Sequence, residues 1–534
     1  MKEESFVRGA FVLMLAGTVS KFLGAFYRMP LARIIGDEGM GLYEMAYPIY
    51  SLMLIMAVAG FPVAISKMVS EKRAGYDFEQ EKVVFCSALL ILSLTGIFFS
   101  LFLYNFAEPI AVNIIGDYRV LYPLKIISPA IFIVSIMSGF RGYFQGMKRM
   151  TPTAISQVTE QFFRVATMLF FGYIYGQAGV EYGAAGATLG AVVGALFGFL
   201  LLLVLFIREK GLGYVILLFF SRIFVSSVLK SFHSLVRLFK IAIPFSLGAL
   251  VMPLMQTVDA AVVPERLKLI GYSVSEATSL YGHLSGMALR IISLPTIFTL
   301  ALGTSLIPIL SAYQVKGNYP KIYDNVAKAI RLTLLIGIPS SLGILILAYD
   351  MTELMFGYRE AGAPLRVMSF ASLFLCLQQV TAFILQGLGY YKKPVLNLFA
   401  GAVLNFILNY NLTAYPPLEI MGAAIGTGSG FILASVLNLR DLSKLNISSF
   451  SILEGSIKPV LGSVVMGGFL LRFFPLYETI FEIRLLNLAL LILTGMIVYF
   501  FSLLVFKGIK EEDLLLIPGL GPSLLSLFKK LRII

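Results

Sequence analysis

Residues 182–207 read YGAAGATLGAVVGALFGFLLLLVLFI and are followed at once by Arg208, Glu209 and Lys210. A run this long without a charge, rising about 1.5 Å per residue as a helix, crosses a hydrocarbon core of roughly 30 Å. Outward from it the pattern repeats. Apolar stretches fall at 9–26, 42–65, 82–104, 120–144, 153–176, 182–207, 239–263, 278–311, 325–348, 364–388, 394–412, 418–438, 455–473 and 485–506, separated by short charged or Pro/Gly-containing turns. The chain is 58% hydrophobic and only 13% charged, with a mean hydropathy of +0.88. That much apolar surface exceeds what a soluble core hides, so the expected class is an all-α integral membrane protein of about fourteen spans. A membrane barrel would instead alternate over segments of about ten residues.

A net charge of +13 raises nucleic acid as a partner, but Lys and Arg fall in the turns between apolar spans and form no basic domain. No nucleic-acid partner is expected. Cys86 and Cys376 lie far apart inside apolar spans, with no CxxC and no neighbouring histidine, so packing is their expected role and no metal site follows. The first apolar stretch begins near Arg8 and is read as a spanning helix, not as a cleavable leader.

Loop charge sets the expected orientation. With the N-terminus inside, the inside loops carry Lys67, Lys72, Arg73, Lys148, Arg149, Arg208, Lys210, Lys316, Lys321, Lys392, Lys393, Arg440 and Lys444, whereas the turns near 177–181 and 413–419 have no Lys or Arg. Both termini are therefore expected in the cytoplasm of a cell whose inner membrane holds the chain.

The opening stretch also carries an internal repeat. Gly183-Ala184-Ala185-x-x-Thr188 recurs 239 residues later as Gly422-Ala423-Ala424-x-x-Thr427; Gln145-Gly146 before Pro152 recurs as Gln386-Gly387 before Pro394; Leu42-Tyr43 recurs as Leu280-Tyr281. All three offsets lie near 240 residues. The repeat predicts a six-helix lobe over 1–210, an interfacial linker helix over 211–238, a second six-helix lobe over 239–440, two additional spans over 441–506 and an amphipathic tail over 507–534. Since six is even, the lobes share one orientation and are expected to be related by an axis along the membrane normal.

Ionisable residues inside spans cost about 2.5–3.5 kcal/mol each at mid-bilayer, so they face a cavity or a partner. Lys21 and Arg28, seven apart, are expected on one face of the first helix; either they line a cavity or they snorkel to headgroups. His283 and Arg290 repeat that spacing in the eighth span, and Arg290 cannot shed its proton, so it requires water or an anion. Glu160 and Arg164 have the favourable i,i+4 order of an ion pair. Asp259 in the seventh span either binds a coupling cation or holds Arg290. Glu44 is read near the outer surface, where water can solvate it. Gln378, Gln379, Asn397, Asn405 and Asn409 are read as helix–helix glue. No phosphate-binding loop of the GxxxxGK[ST] kind and no HExxH occurs, so neither ATP hydrolysis nor metal-dependent hydrolysis is expected of this chain.

Four stretches together resemble a known family: SKFLGAFYRMPLARIIGD at 20–37, AVAGFPVAISKMVSE at 57–71, ALRIISLPTIFTLALGTSLIPIL at 288–310 and EDLLLIPGLGPSLLSLFKKLR at 512–532. The chain resembles the polysaccharide-export branch of the multidrug/oligosaccharidyl-lipid/polysaccharide exporter superfamily, the branch of the stage V sporulation B proteins and the MurJ-type lipid II flippases. The resemblance implies a MATE-like V of two six-helix lobes, alternating access, and a lipid-linked oligosaccharide as substrate. An undecaprenyl-pyrophosphate sugar is the class implied, lipid II first, serving peptidoglycan or polysaccharide synthesis, cell shape or sporulation. It implies Lys21, Arg28 and Arg290 as pyrophosphate-binding cations; Asp259, Glu44, Glu160, Arg164 and His283 are read from their own positions as candidates for coupling or supporting roles. A second-helix arginine of the family has no counterpart here, residues 52–61 reading LMLIMAVAGF.

No cofactor or metal is expected. The drive is either a monovalent cation or the membrane potential, which is worth about 2.3 kcal/mol per elementary charge per 100 mV. A monomer in contact with membrane lipid and with cell-wall synthesis proteins is the expected assembly. The alternative within transporters is a cation-coupled multidrug exporter, which would need cavity carboxylates for cationic drugs.

Overall fold

The computed structural model describes residues 6–58, 60–211, 232–445, 452–477 and 484–508. Among the described residues it is helical throughout, and eleven helices are long and apolar enough to cross a membrane by length and composition. Of the linker read over 211–238, residues 212–231 lie outside the described residues, as do residues from 509 onward of the tail read over 507–534. The chain divides into two compact units, Met1–Gly282 and His283–Ile534.

In the first unit, α1 (Phe6–Phe26) gives way at Tyr27 to α2 (Arg28–Val58). Pro30 explains the break, since its ring opposes the carbonyl of Phe26 four residues back. The hydrogen bonds from Tyr27 N–H to the Leu23 carbonyl (3.2 Å) and from Leu31 N–H to the Tyr27 carbonyl (3.1 Å) carry the chain across it. Gly36, at φ 78° and ψ 174°, turns the chain a second time inside α2, a conformation that suits glycine. The second spanning segment thus starts near residue 37, earlier than the apolar run suggests. α3 (Phe61–Ala74) follows, then α4 (Phe78–Pro109), whose cap residue Asp77 accepts the Gln80 N–H at 3.2 Å. α5 (Leu121–Gly146), α6 (Thr151–Gly176) and α7 (Val180–Lys210) follow in the same unit.

The stretch quoted at the outset is α7, and its glycines fix how closely α6 approaches. A Cβ at Gly186 would sit 2.4 Å from the Phe171 carbonyl oxygen, at Gly190 2.6 Å from Met168 Cβ, and at Gly194 2.6 Å from the Glu160 carbonyl oxygen. This is small-residue packing at four-residue spacing, backbone against backbone. Gly186→Ala should therefore cost about 1–3 kcal/mol through overpacking, read as a lower thermal midpoint in detergent; an unchanged midpoint would contradict the close approach.

The second unit repeats the device. α14 (Lys392–Leu412) packs on α15 (Ile420–Lys444), where a Cβ at Gly430 would meet the Gly401 carbonyl oxygen at 2.8 Å. The first glycine of each repeated motif, Gly183 or Gly422, lies against the end of the preceding helix, at Gly176 or Leu412 respectively. The repeat is thus a hairpin device used twice.

The packing boundary differs from the one the repeat suggests. α8 (Phe232–Leu269) and α9 (Val274–Tyr281) pack with the first unit. Ser246 Oγ accepts the Gly60 N–H at 2.9 Å, Lys268 Nζ donates to the Gly116 carbonyl at 3.2 Å, and Thr278 Oγ1 donates to Asp117 Oδ2 at 3.0 Å. These bonds hold the seventh span against the lobe it follows.

The eighth span is not one helix. Gly282–Ala288 is a π-helix, α10 (Leu289–Ile292) is a single turn, and residues 293–295 turn before α11 (Thr296–Val315). Pro295 opposes the Ile291 carbonyl and forces the interruption. Next come α12 (Tyr319–Phe356) and α13 (Gly362–Gly387), then α14 and α15, and lastly α16 (Ile452–Tyr477) and α17 (Arg484–Val505). This last pair is fastened to α12: Tyr499 Oη donates to the Leu335 carbonyl at 2.9 Å and Arg331 Nη2 to the Gly508 carbonyl at 2.8 Å. Asn397 Nδ2 donates to Asn438 Oδ1 and to Asp441 Oδ2, each at 2.9 Å, and Thr299 Oγ1 donates to Gln379 Oε1 at 2.6 Å. Asn397 and Gln379 are helix–helix glue, as read from sequence. Cys86 and Cys376 are both buried.

Candidate functional site: charges buried among the spans

In α2, Tyr43, Tyr47 and Tyr50 recur at helical spacing and form one stripe, with ring centroids 5.5 and 5.6 Å apart in succession. Glu44 stands beside the first of them, only 1% exposed. The reading of Glu44 as a solvated residue at the outer surface is corrected: it is buried and accepts from Arg28 Nε at 3.1 Å. Arg28 is held further by its Nη1, which donates to the Gly24 carbonyl at 2.8 Å, and its guanidinium carbon stands 4.9 Å from the Tyr27 ring centroid. The hydroxyls of Tyr27 and Tyr43 share a hydrogen bond of 3.1 Å. Taking both charges of Arg28 and Glu44 out of water costs several kcal/mol per ion, which their attraction offsets only with good geometry and further hydrogen bonds. Arg28 has both.

A second charge cluster lies in the same unit. Glu160 pairs with Arg164 on its own helix, as the spacing predicts, and also accepts from Arg141 Nη2 of α5 at 2.9 Å. Arg141 donates to Ser156 Oγ as well, at 2.9 Å. The tyrosine stripe and the Arg28–Glu44 pair lie on α2, and the Glu160 cluster on α5 and α6 of the same unit. Arg28 and Glu44 balance each other, whereas Arg141 and Arg164 against Glu160 leave one net positive charge in the second cluster. Arg141 escaped the sequence reading, although it lies in the span read over 120–144 and the rule that singled out Arg164 applies to it equally.

The remaining predicted residues are dispersed. Asp259 is half-buried on α8 in the first unit. The Lys21 side chain lies outside the described residues. His283 and Arg290 belong to the second unit. Their seven-residue spacing does not put them on one face, because the intervening π-helix bonds i to i+5 and holds more residues per turn than 3.6. His283 is buried with its ring 5.7 Å from that of Tyr358. Arg290 is half-buried just before the helix break, where Ser293 Oγ donates to its carbonyl at 2.8 Å. Beside that break an apolar cavity of about 430 Å³ opens between α11, α12, α16 and α17, lined by Leu294, Pro295, Phe298, Met466, Met496 and Tyr499 among others. Among the described residues no group of three or more His, Cys, Asp or Glu side chains could hold a metal ion.

Long apolar helices interrupted at proline, with guanidinium and carboxylate groups paired inside the spans, are the construction of a polytopic membrane transporter. The profile of the polysaccharide biosynthesis protein family matches residues 6–314, and that of the MatE family matches 284–411. The chain belongs to the polysaccharide biosynthesis protein family. It is 32% identical to stage V sporulation protein B of Bacillus subtilis (strain 168), over 98% of this chain and 99% of that protein. It is 27% identical to the lipid II flippase MurJ of the same organism, over 86% of this chain and 87% of that one. The fold matches a solved structure of lipid II flippase MurJ in an inward closed conformation, with a TM-score of 0.70 and 18% identity over 93% of this chain and 98% of that one. With these relatives, the chain is a multi-pass membrane transporter of the flippase kind and not an enzyme.

Proposed function

We propose that the protein carries a lipid-linked cell-envelope precursor, an undecaprenyl-pyrophosphate sugar with lipid II first among them, from the cytoplasmic to the outer leaflet of a bacterial inner membrane by alternating access. The observation that carries this reading is the sign of the buried charge. Arg141 and Arg164 outnumber Glu160 by one positive charge, and Glu44 is engaged by Arg28. Such a cluster suits a phosphate-bearing cargo, whereas a cationic drug would need carboxylates that are not already neutralised. Lys21, Arg28 and Arg290 are the cations we assign to the pyrophosphate. Asp259 and His283 are assigned to coupling or support. Arg290 suits its role through its place at a broken helix, since non-helical backbone at membrane depth persists where it lines a cavity. The apolar cavity beside that break suits a hydrocarbon chain.

The test is translocation of lipid II and of other prenyl-pyrophosphate sugars in proteoliposomes containing the wild-type protein or Arg290→Ala. The wild type should move at least one of them, and Arg290→Ala should slow it about 10- to 100-fold, the value of one or two charge-assisted contacts. Equal rates in the two proteins would remove Arg290 from the substrate site. Movement of cationic drugs alone would establish the exporter reading instead.

A further inference from the structure

Glu160 is met by more positive charge than it can balance. One guanidinium per carboxylate neutralises a buried pair, as Arg28 does for Glu44, yet Glu160 engages both Arg164 of its own helix and Arg141 of α5. The excess lies deep, since Arg164 stands near the middle of the 26-residue α6. An uncompensated charge within a span is costly, so the second arginine calls for an anion from outside the chain.

Hydrogen bonding shows the same excess. Each guanidinium carries five N–H groups. Arg141 spends two of them, on Ser156 Oγ and Glu160 Oε2, and Arg164 spends one, on Glu160 Oε1. The Nε of each is buried without an acceptor, and the Nη1 of each makes no hydrogen bond among the described residues. Because the two side chains remain 16% and 15% exposed, a ligand can reach donors that the protein leaves unused. Glu160 holds one arginine on each carboxylate oxygen, which fixes both before anything binds.

We infer that Arg141 and Arg164 bind a phosphoryl group of the transported lipid directly, with Glu160 as their positioning residue. This rests on the proposed cargo and adds two substrate residues to those assigned above. In a pyrophosphate esterified at both ends, each phosphoryl group carries one negative charge over two free oxygens. That matches the single charge in excess and the planar donors of two guanidinium groups. Arg28 is held on the helix next to this cluster: its Nη1 donates to the Gly24 carbonyl at 2.8 Å, and a Cβ at Gly24 would sit 3.4 Å from Nε2 of Gln161, the residue after Glu160.

The test is equilibrium binding of farnesyl-pyrophosphoryl-N-acetylglucosamine, a short-chain cargo of this class, to the full-length protein in detergent, with farnesol as the uncharged control. The wild type should prefer the pyrophosphate to farnesol. Arg141→Gln and Arg164→Gln should each weaken its binding about 10- to 100-fold, the value of one or two charge-assisted hydrogen bonds. Each variant leaves Glu160 one guanidinium, so neither strands a charge, and the thermal midpoint should stay near that of the wild type. Arg164→Lys keeps a cation beside Glu160 but loses the guanidinium fork, and should bind roughly threefold to tenfold more weakly than the wild type; it supplies the comparison should a glutamine variant unfold. Arg149→Gln removes the same charge from the separate Arg149–Glu209 pair and should leave binding unchanged. Wild-type affinity in the variants at 141 and 164, or an equal loss in Arg149→Gln, overturns the inference while the cargo reading stands. A wild type that does not distinguish the pyrophosphate from farnesol overturns the cargo reading itself, and the inference with it.

Discussion

Glu160→Ala should destabilise the protein by about 3–5 kcal/mol, the usual consequence of removing one partner from a buried ion pair. Here the loss strands two cations at once. Arg141 and Arg164 both direct a guanidinium nitrogen at the Glu160 carboxylate, and their side chains are only 16% and 15% exposed. Neither arginine can neutralise itself by losing a proton. Gly194 brings α7 against the Glu160 backbone, so little room exists for water to replace the lost carboxylate. The measurement is the midpoint of thermal or denaturant unfolding in detergent. Adding Arg164→Met to Glu160→Ala should recover part of the loss, because an unbranched apolar side chain needs no counter-ion. A loss below about 1 kcal/mol would mean that the cluster behaves like an exposed pair.

Arg28 and Glu44 offer a test in which stability and transport should rank two variants in opposite orders. Glu44→Gln leaves Arg28 charged without its counter-ion, and should cost about 1.5–3 kcal/mol, since the amide oxygen still accepts a hydrogen bond but carries no charge. Arg28→Ala should cost less, because a buried carboxylate can take up a proton and become neutral. In a translocation assay the order reverses. Arg28→Ala removes one of the cations assigned to the pyrophosphate and should lower the rate about 10- to 100-fold. Glu44→Gln releases that cation from its internal partner and should leave transport intact or raise substrate affinity. If the pair is purely structural, activity will instead follow stability in both variants, and Arg28 drops out of the substrate site.

What could be read from the chain was governed by distance along it. Apolar length located the spans, and the four-residue spacing of Glu160 and Arg164 foretold their contact, because helix geometry alone brings such residues together. The Arg28–Glu44 pair could not be foreseen in that way: a proline break and the turn at Gly36 separate the two, and no periodic rule spans those interruptions. The third member of the Glu160 cluster, Arg141, comes from another helix. Around Arg290 the proline was legible, but the π-helix over Gly282–Ala288 was not, since a wider helical turn leaves no mark in hydropathy. The repeated glycines meet the preceding helix in both halves, whereas tertiary hydrogen bonds such as Gly60 to Ser246, which sequence symmetry does not encode, hold the seventh span with the first unit.

The two buried thiols have a practical consequence. Cys86 and Cys376 are the chain's only cysteines and each is at most 4% exposed, so a water-soluble maleimide should scarcely label the native protein. A single cysteine placed beside Arg290 or Arg141 would then report its own accessibility against a silent background. The chain also has no tryptophan, so one introduced indole would be its only tryptophan emitter. Opening and closing could be followed by fluorescence in a protein otherwise unaltered.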